Sequence, residues 1–539
     1  MAPRQSKTGE LGLEASLWEA ANRLRSSMDP SEYKHVVLGL VFLKYVSDNF
    51  EKRRTEAALN MADSTSDMYL PDEGARERFL DDRDIYTSVG AFWIPAGHRW
   101  DDLRSAAKLT DIGVRVDNAM DAIEKENPSL KGVLPKSYAS KDLAPDKLGG
   151  LIDLFSNEDL AAAEHDDQDV LGRVYEYFLS QFGSGADQSG GEYYSPRSIV
   201  KTMVEMLEPY KGRVFDPACG SGGMFVQSAN FTAAHSGGDK NKISVYGQEM
   251  NPTTWRLAKM NLAIRGIEAN LGPEWGDSFA DDKHKDLRAD FIITNPPFGS
   301  KVYWAADALQ SETKRFPYGM PPASKVNYAW LQNYLHHLSP TGTAATVMPN
   351  GSLTSNTNNE GEIRRKMIEG DKVECIVSLP GQLFYGTPIP ICLWFMTHDK
   401  KKKFGDGAAA RRDRQGEVLF IDAQKLGHMV SRNQKAFSDE DIAKIADTYH
   451  AWRGEVIEGG YADVEGFCKS ATTTEIEAAG WALAPGRFVG SEAVVDDGVP
   501  VEVKIVELRD SIKAGFAARK AIQSRIEESL DRLVVEEDV

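Results

Sequence analysis

The sequence has few cysteines and no long apolar run. The cysteines are widely scattered, with neither a CxxC pair nor metal-ligand spacing, which argues against a disulfide framework or a zinc site. They are Cys219, Cys375, Cys392 and Cys468. No apolar segment is long enough to cross a bilayer, and the N-terminal stretch MAPRQSKTGELG lacks the apolar core of a secretory signal. We therefore expect a cytoplasmic protein with no metal site and no membrane partner.

An excess of positive charge is also absent. The chain has 63 Lys and Arg against 81 Asp and Glu, a formal net charge of −18. A protein that grips DNA by itself normally presents a basic face, because neutralising phosphates provides most of the affinity. If this chain acts on DNA, it has a local basic strip or a partner protein provides most of the DNA-binding affinity. We favour the second explanation.

The chain of 539 residues is too long for one hydrophobic core. The first part has mostly helical periodicity. From Arg213 onward, short apolar runs alternate with helical segments, which predicts an α/β fold with a mostly parallel sheet and helices on both faces. The runs are RVFD, ISVYGQE, DFIITN, TAATVMP, VECIVSLP and ICLWFMT, with EVLFIDA following later.

Three parts are predicted. A helical N-terminal domain covers residues 1–184, a catalytic α/β domain covers 185–424, and a helical C-terminal region covers 425–539. The last region contains a long amphipathic helix over 501–533. The basic residues between Lys400 and Arg414 are interpreted as a solvated loop, with phosphate contact as the alternative.

A glycine loop is the first functional signal. From Val214 to Met224 the sequence VFDPACGSGGM reads as a strand, a tight turn and the start of a helix. Glycines let the backbone approach a ligand closely, and such loops lie where ligands bind in open α/β sheets. A nucleotide-type cofactor is favoured over a plain turn, and the missing third glycine of GxGxxG weakens a dinucleotide fold. The candidate cofactor-binding residues here are Asp216, Gly220, Ser221 and Gly222.

Two acidic residues follow this loop. Glu249 closes the strand-like run ISVYGQE, where a carboxylate can accept hydrogen bonds from both hydroxyls of a ribose. Asp277, in GDSF, is suited to an adenine amine of the cofactor. The alternative for Glu249 is a solvated glutamate at a strand end.

The motif NPPF decides the chemistry. Asn295, Pro296, Pro297 and Phe298 follow the apolar strand DFIIT. The amino nitrogen of adenine is a poor nucleophile, since its lone pair is delocalised into the ring. Acceptors aimed at its two hydrogens, the Asn295 side-chain oxygen and the Pro296 carbonyl, would return the lone pair to nitrogen. The prolines stiffen the turn, and Phe298 offers a face for an extruded base.

The segment before the sheet, GEYYSPR at 191–197, is a weaker signal. An aromatic pair and a hydroxyl beside a proline turn could cover the methionine end of a cofactor; the alternative is a domain-entry loop. The candidate residues are Glu192, Tyr193, Tyr194, Ser195, Pro196 and Arg197.

Together these segments resemble the modification (methyltransferase) subunit of type I restriction-modification systems, an N6-adenine DNA methyltransferase family. The resemblance is carried by 191–197, 216–224, 247–249 and 295–298, and extends to LFYG, Ile389-Pro390 and WALAPGRFVG. It spans most of the chain. It implies a Rossmann-like S-adenosylmethionine-dependent methyltransferase domain with a mixed seven-stranded sheet.

The resemblance also implies site roles and partners. S-adenosylmethionine is held by the residues matching 192–197, 220–222 and Glu249, and a flipped adenine of double-stranded DNA is methylated at N6 in the motif matching 295–298. Two modification subunits assemble with one specificity subunit that reads the DNA, and a restriction subunit can join them. The C-terminal helix then becomes a candidate docking element. The family often has threonine where this chain has Ser195, and the hydroxyl is kept.

Two other functions stay open. A protein glutamine amide poses the same lone-pair problem as adenine, so glutamine methylation also suits an Asn-Pro-Pro-aromatic motif. Enzymes of that kind generally carry tyrosine as the aromatic residue and are far shorter. The second alternative is a non-catalytic scaffold subunit, against which the intact Asp216, Glu249 and Asn295 argue.

Overall fold

The computed structural model covers most of the chain in two compact units, residues 1–490 and 491–539. The described residues are 11–25, 28, 30–140, 142–156, 174–175, 177–179, 195–298, 314–322, 325–384, 389–401, 411–431, 434–455, 459–491 and separate residues between 505 and 524.

In the described residues up to 156, seven α-helices form the N-terminal part of the first unit. The second is the longest, and every residue from 36 to 43 in it is buried, as its almost uninterrupted apolar run predicts. The helices are α1 (Leu11–Leu24), α2 (Pro30–Ala62), α3 (Glu73–Leu80), α4 (Arg83–Thr87), α5 (Trp100–Ser105), α6 (Ile112–Glu126) and α7 (Pro145–Phe155).

The rest of the first unit contains strands and helices, and most of the strands form one large sheet. The strands are β1 (Gly212–Asp216), β2 (Ile243–Gly247), β3 (Ala269–Asn270), β4 (Ala289–Thr294), β5 (Leu338–Pro349), β6 (Val373–Ser378), β7 (Ile391–Thr397), β8 (Glu417–Asp422), β9 (His428–Ser431), β10 (Gln434–Ala436) and β11 (Cys468–Thr472). The helices are α8 (Arg197–Leu207), α9 (Gly223–Ala234), α10 (Pro252–Ile264), α11 (Asn327–His337), α12 (Glu360–Glu369), α13 (Asp439–Arg453) and α14 (Thr473–Ala478).

The sheet is mixed, but it has nine strands in the described part of the chain and not the expected seven. Its order is β11-β8-β6-β7-β5-β4-β1-β2-β3. Strand β7 is antiparallel to both neighbours, and β8 pairs parallel to β6. The two strands beyond the seven predicted runs are β3 and β11, which form the two edges of the sheet. Strands β9 and β10 form a separate hairpin, so the region after residue 424 is not purely helical.

Apolar side chains cover both faces of the sheet. Successive residues of a strand point to opposite faces, and the strands divide accordingly: Val214 and Ile293 belong to one buried cluster, Phe215 and Ile292 to the other. Helix α8 packs in the first cluster and α11 in the second. The carboxyl ends of β1, β2 and β4 therefore meet at one edge of the sheet, and helices pack on both faces of the sheet next to this edge.

The second unit is described at separate residues only. Ile505, Ile512 and Phe516 have helical conformation and are 59%, 57% and 65% exposed. In the described part of the chain, no helix combines the length and apolar character that a membrane span requires.

Candidate active site

The glycine loop joins β1 to α9 with backbone conformations that favour glycine. Gly220 and Gly222 have φ of +53° and +83°, which side chains with a Cβ rarely adopt. Beyond the strands, the Gln248 N–H donates to the Asp216 carbonyl (3.0 Å) and the Cys219 N–H donates to the Gln248 carbonyl (2.9 Å). The loop is therefore held against the end of β2.

Asp216 at the end of β1 is 1% exposed. Its Oδ1 accepts hydrogen bonds from the Ala218 N–H (3.0 Å) and the Thr294 hydroxyl (2.6 Å). Burial raises the pKa of this carboxyl to about 7, against the lowering effect of both hydrogen bonds. Asp216 thus connects the glycine loop to the last residue of β4.

Glu249 lies directly opposite the loop. Its Oε2 accepts from the Gly220 N–H (3.0 Å) and its Oε1 from the Asn251 N–H (2.8 Å). The side chain is half-buried. A carboxylate accepts hydrogen bonds through both oxygens, so Glu249 at this strand end is of a type suited to hydroxyl donors.

Asp277 lies at the same edge because Gln248, a residue that the sequence analysis did not select, holds the segment around it. Gln248 is fully buried, and its amide nitrogen donates to the carbonyls of Gly276 (3.0 Å) and Asp281 (2.8 Å). The Gly276 N–H donates to the Glu249 carbonyl (2.9 Å). Asp277 itself is half-buried, and its Oδ1 accepts from the Phe279 N–H (2.8 Å). A polar residue at a buried strand end was the available signal for Gln248.

Asn295 follows β4 at this edge. Its Nδ2 donates to the Ser195 hydroxyl oxygen (3.0 Å). Its Oδ1 is buried and has no hydrogen-bond partner among the residues that the structure describes. Pro296 is buried, and Phe298 is half-buried against the larger apolar cluster. A buried amide oxygen with no partner is costly, so this position is suited to a donor from a ligand.

The segment before α8 is only partly described. Ser195 is half-buried, Pro196 is buried at the N-cap of α8, and Arg197 is exposed. Glu192, Tyr193 and Tyr194 lie outside the described residues. The structure therefore brings the end of this segment to Asn295.

Comparison with known proteins supplies the family. The family model "N-6 DNA Methylase" matches residues 166–497, and "HsdM N-terminal domain" matches 13–155. The chain belongs to the N-6 DNA methylase family. It is an adenine-specific DNA methyltransferase, the methylase subunit of a type I restriction-modification system.

Two relatives of this methylase cover nearly its whole length. It is 45% identical to the type I restriction enzyme HindI methylase subunit of Haemophilus influenzae, over 82% of this chain and 99% of the relative. It is 38% identical to the MjaIX methylase subunit of Methanocaldococcus jannaschii, over 96% and 91%. Its fold matches the type I methyltransferase subunit from Streptococcus thermophilus, with a TM-score of 0.72, 25% identity and coverage of 89% and 99%.

The basic stretch of the methylase has a structural role at two positions. Lys400 and Arg414 are buried and pair with Asp371 (2.7 Å) and Glu374 (2.8 Å). The interpretation of these two residues as part of a solvated loop was wrong, because their carboxylate partners lie in the distant segment at the start of β6. Residues 402–410 lie outside the described part of the chain.

One group in the described part of the methylase has metal-ligand spacing: Glu208, His450 and Glu455. The His450 Nδ1 lies 2.8 Å from a Glu455 carboxylate oxygen, and its Nε2 lies 2.9 Å from the Glu205 carbonyl. Burial lowers the pKa of His450, but the hydrogen bond with Glu455 and the charge of Glu208 raise it overall. The cluster is consistent with a buried imidazolium ion pair.

Proposed function

We propose that this subunit transfers a methyl group from S-adenosylmethionine to N6 of an adenine flipped out of double-stranded DNA. The observation that carries the proposal is the buried Oδ1 of Asn295, which lacks a partner in the described residues and lies next to Pro296. An amide oxygen in that state matches the N6–H donor of adenine, and the Pro296 carbonyl can take the second hydrogen.

The residues at the sheet edge fit S-adenosylmethionine. A Cβ added at Gly220 would meet no atom of the described residues within 4 Å, so the loop borders space that the described part of the chain leaves open. The Glu249 carboxylate, opposite the loop, is the proposed acceptor for ribose hydroxyls, and Asp277 follows Gly276, which bonds to the Glu249 carbonyl, as the proposed acceptor for the adenine amine. Gly222, Ser221 and Asp216 complete the loop side of the site, and the proposal assigns residues 192–197 to the methionine end of the cofactor.

When bound, S-adenosylmethionine supplies a methyl group activated by its sulfonium centre. Asn295 and Pro296 orient the acceptor nitrogen and restore its lone pair. Pro297 stiffens the turn, and Phe298 stacks on the extruded base. The methylated amino group loses a proton readily to water, so catalysis is mainly positioning and desolvation and needs no strongly perturbed base.

The proposal assigns sequence reading to a partner. A net charge of −18 is unusual for a protein that binds DNA alone. We propose two of these subunits per specificity subunit, with a restriction subunit in the full nuclease. The exposed Ile505, Ile512 and Phe516 are suited to docking the specificity subunit. The division at residues 184 and 424, and the cytoplasmic location, remain predictions.

The test is methyl transfer from labelled S-adenosylmethionine to mixed-sequence duplex DNA, followed by nucleoside analysis. The chain is assayed alone and with its specificity subunit, and N6-methyladenine is expected mainly in the assembled complex. Label in protein but not in DNA would refute the proposal and favour the glutamine alternative. No label in either would favour a scaffold subunit.

Replacement of the proposed acceptor gives a sharper test. Asn295→Ala should abolish transfer while cofactor binding, measured by calorimetry, persists. The matched control is Asn241→Ala, which changes an exposed asparagine before β2 and should leave both unchanged. Turnover by Asn295→Ala near the wild-type rate would contradict the role assigned to this residue.

A further inference from the structure

Asn295 is held by a residue far away in the sequence. Its Nδ2 donates to the hydroxyl oxygen of Ser195, 100 positions earlier, at 3.0 Å. This contact pairs the amide nitrogen and leaves the amide oxygen Oδ1 buried without a partner in the described part of the chain. The sequence suggested only cofactor contact for Ser195.

Ser195 is well placed to hold that amide. It directly precedes Pro196, the N-cap of α8, and proline restricts the backbone of the residue before it. Helix α8 buries Ile199 and Met203 in the same apolar cluster as Ile293 of β4. The hydroxyl and Asn295 are therefore carried by elements that pack directly on one another.

A carboxamide has two unlike ends, and only one is productive here. With Oδ1 toward the base, Asn295 accepts from N6–H. With Nδ2 toward the base, two donors would face each other. The productive orientation points Nδ2 at Ser195, where the hydroxyl satisfies it. Without that hydroxyl, the partly buried NH₂ group loses an acceptor, which raises the free energy of this orientation relative to others.

We propose that Ser195 is a positioning residue that holds the Asn295 carboxamide with its oxygen toward the target adenine. The inference rests on the proposed function of Asn295. A neutral hydrogen bond contributes a modest free energy, so losing it should lower kcat roughly 2- to 10-fold.

The experiment compares two variants of nearly the same shape in the complex of the full chain with its specificity subunit. Ser195→Thr keeps a hydroxyl, and Ser195→Val removes it. Ser195→Ala tests removal without added bulk. Ser198→Ala is the matched control, because it makes the same chemical change in the first turn of α8, three residues after Ser195. For each, kcat is measured at saturating cofactor and DNA, and cofactor Kd by calorimetry.

We expect Ser195→Ala and Ser195→Val to lower kcat at saturating cofactor, and Ser195→Thr to retain it, independently of any change in cofactor Kd. An unchanged kcat in Ser195→Ala would overturn the inference. If kcat is unchanged and cofactor binding is weaker in Ser195→Ala, the role of Ser195 is limited to contact with the cofactor. A Thr variant as slow as the Val variant would also overturn it. Absence of methyl transfer by the wild-type complex would instead count against the proposed function.

Discussion

Because the pKa of Asp216 is raised in the folded state, the free energy of unfolding should decrease as pH rises. Asp216 is fully buried, and its pKa lies at about 7 instead of 3.8. A carboxyl with a raised pKa in the folded state favours the protonated form there. As pH rises from about 4 to 7, the unfolded chain ionises this group first, and stability is lost across that window until the folded state also ionises.

Asp216→Asn removes this dependence and keeps the local contacts. The amide oxygen can still accept from the Ala218 N–H and the Thr294 hydroxyl, both of which now bond to Oδ1. One pKa unit corresponds to about 1.4 kcal/mol. Between pH 5 and pH 8, the free energy of unfolding of the wild-type chain should therefore fall relative to the variant on the order of 2 kcal/mol.

The measurement is urea denaturation of both proteins without cofactor at four pH values from 5 to 8. The control is Asp290→Asn. Asp290 pairs with Arg213 at 3.1 Å, and although burial opposes it, this pairing holds the pKa of Asp290 below its ordinary value. Asp290→Asn should therefore lower the free energy of unfolding by a similar amount at all four pH values, because a lowered carboxyl pKa loses its stabilising effect only near and below the ordinary value of about 4. Parallel curves for wild type and Asp216→Asn at every pH would refute the reasoning.

Two further predictions concern the cofactor edge and the buried ion pairs. Glu249→Ala should weaken S-adenosylmethionine binding roughly 10- to 100-fold, because a charged hydrogen bond contributes about 1.5–3 kcal/mol; the control is the exposed Glu268→Ala, and an unchanged calorimetric titration would count against the role. Arg414→Ala leaves the buried Glu374 without its guanidinium partner, with the Tyr449 hydroxyl still donating to it, and should lower the free energy of unfolding by about 3–5 kcal/mol in urea titrations. The exposed Arg365→Ala should cost under about 1 kcal/mol, and equal losses in the two variants would contradict the argument.

The strands predicted from sequence are those with continuous apolar runs. All seven runs form strands, because a sheet covered by helices on both faces buries every side chain of its inner strands. The prediction missed β3, β9, β10 and β11. Strand β3 has two residues, β9 is exposed throughout, and β11 (CKSAT) is ordered by its pairing with β8. None of these has an apolar pattern of its own.

In the candidate site, too, the local motifs could be predicted from the sequence and the contacts between distant residues could not. The glycine loop, Glu249 and the NPPF motif follow strand ends, and parallel strands bring such ends to one edge. The contacts between Thr294 and Asp216 and between Asn295 and Ser195 join residues far apart in the chain. Such contacts depend on strand order and on the seating of α8, which local sequence patterns do not encode.

The parallel pairing of β1 with β4 sets the distance between the residues that follow the two strands. Val214 pairs with Phe291 and Phe215 with Ile292, so Asn295 lies two residues beyond the level of Asp216, one strand away. Strand rise and strand spacing are fixed by backbone geometry at about 3.3 Å per residue and about 4.8 Å. The separation between the glycine loop and the NPPF motif therefore depends little on which apolar side chains fill the core, and the core can diverge among relatives while that spacing persists.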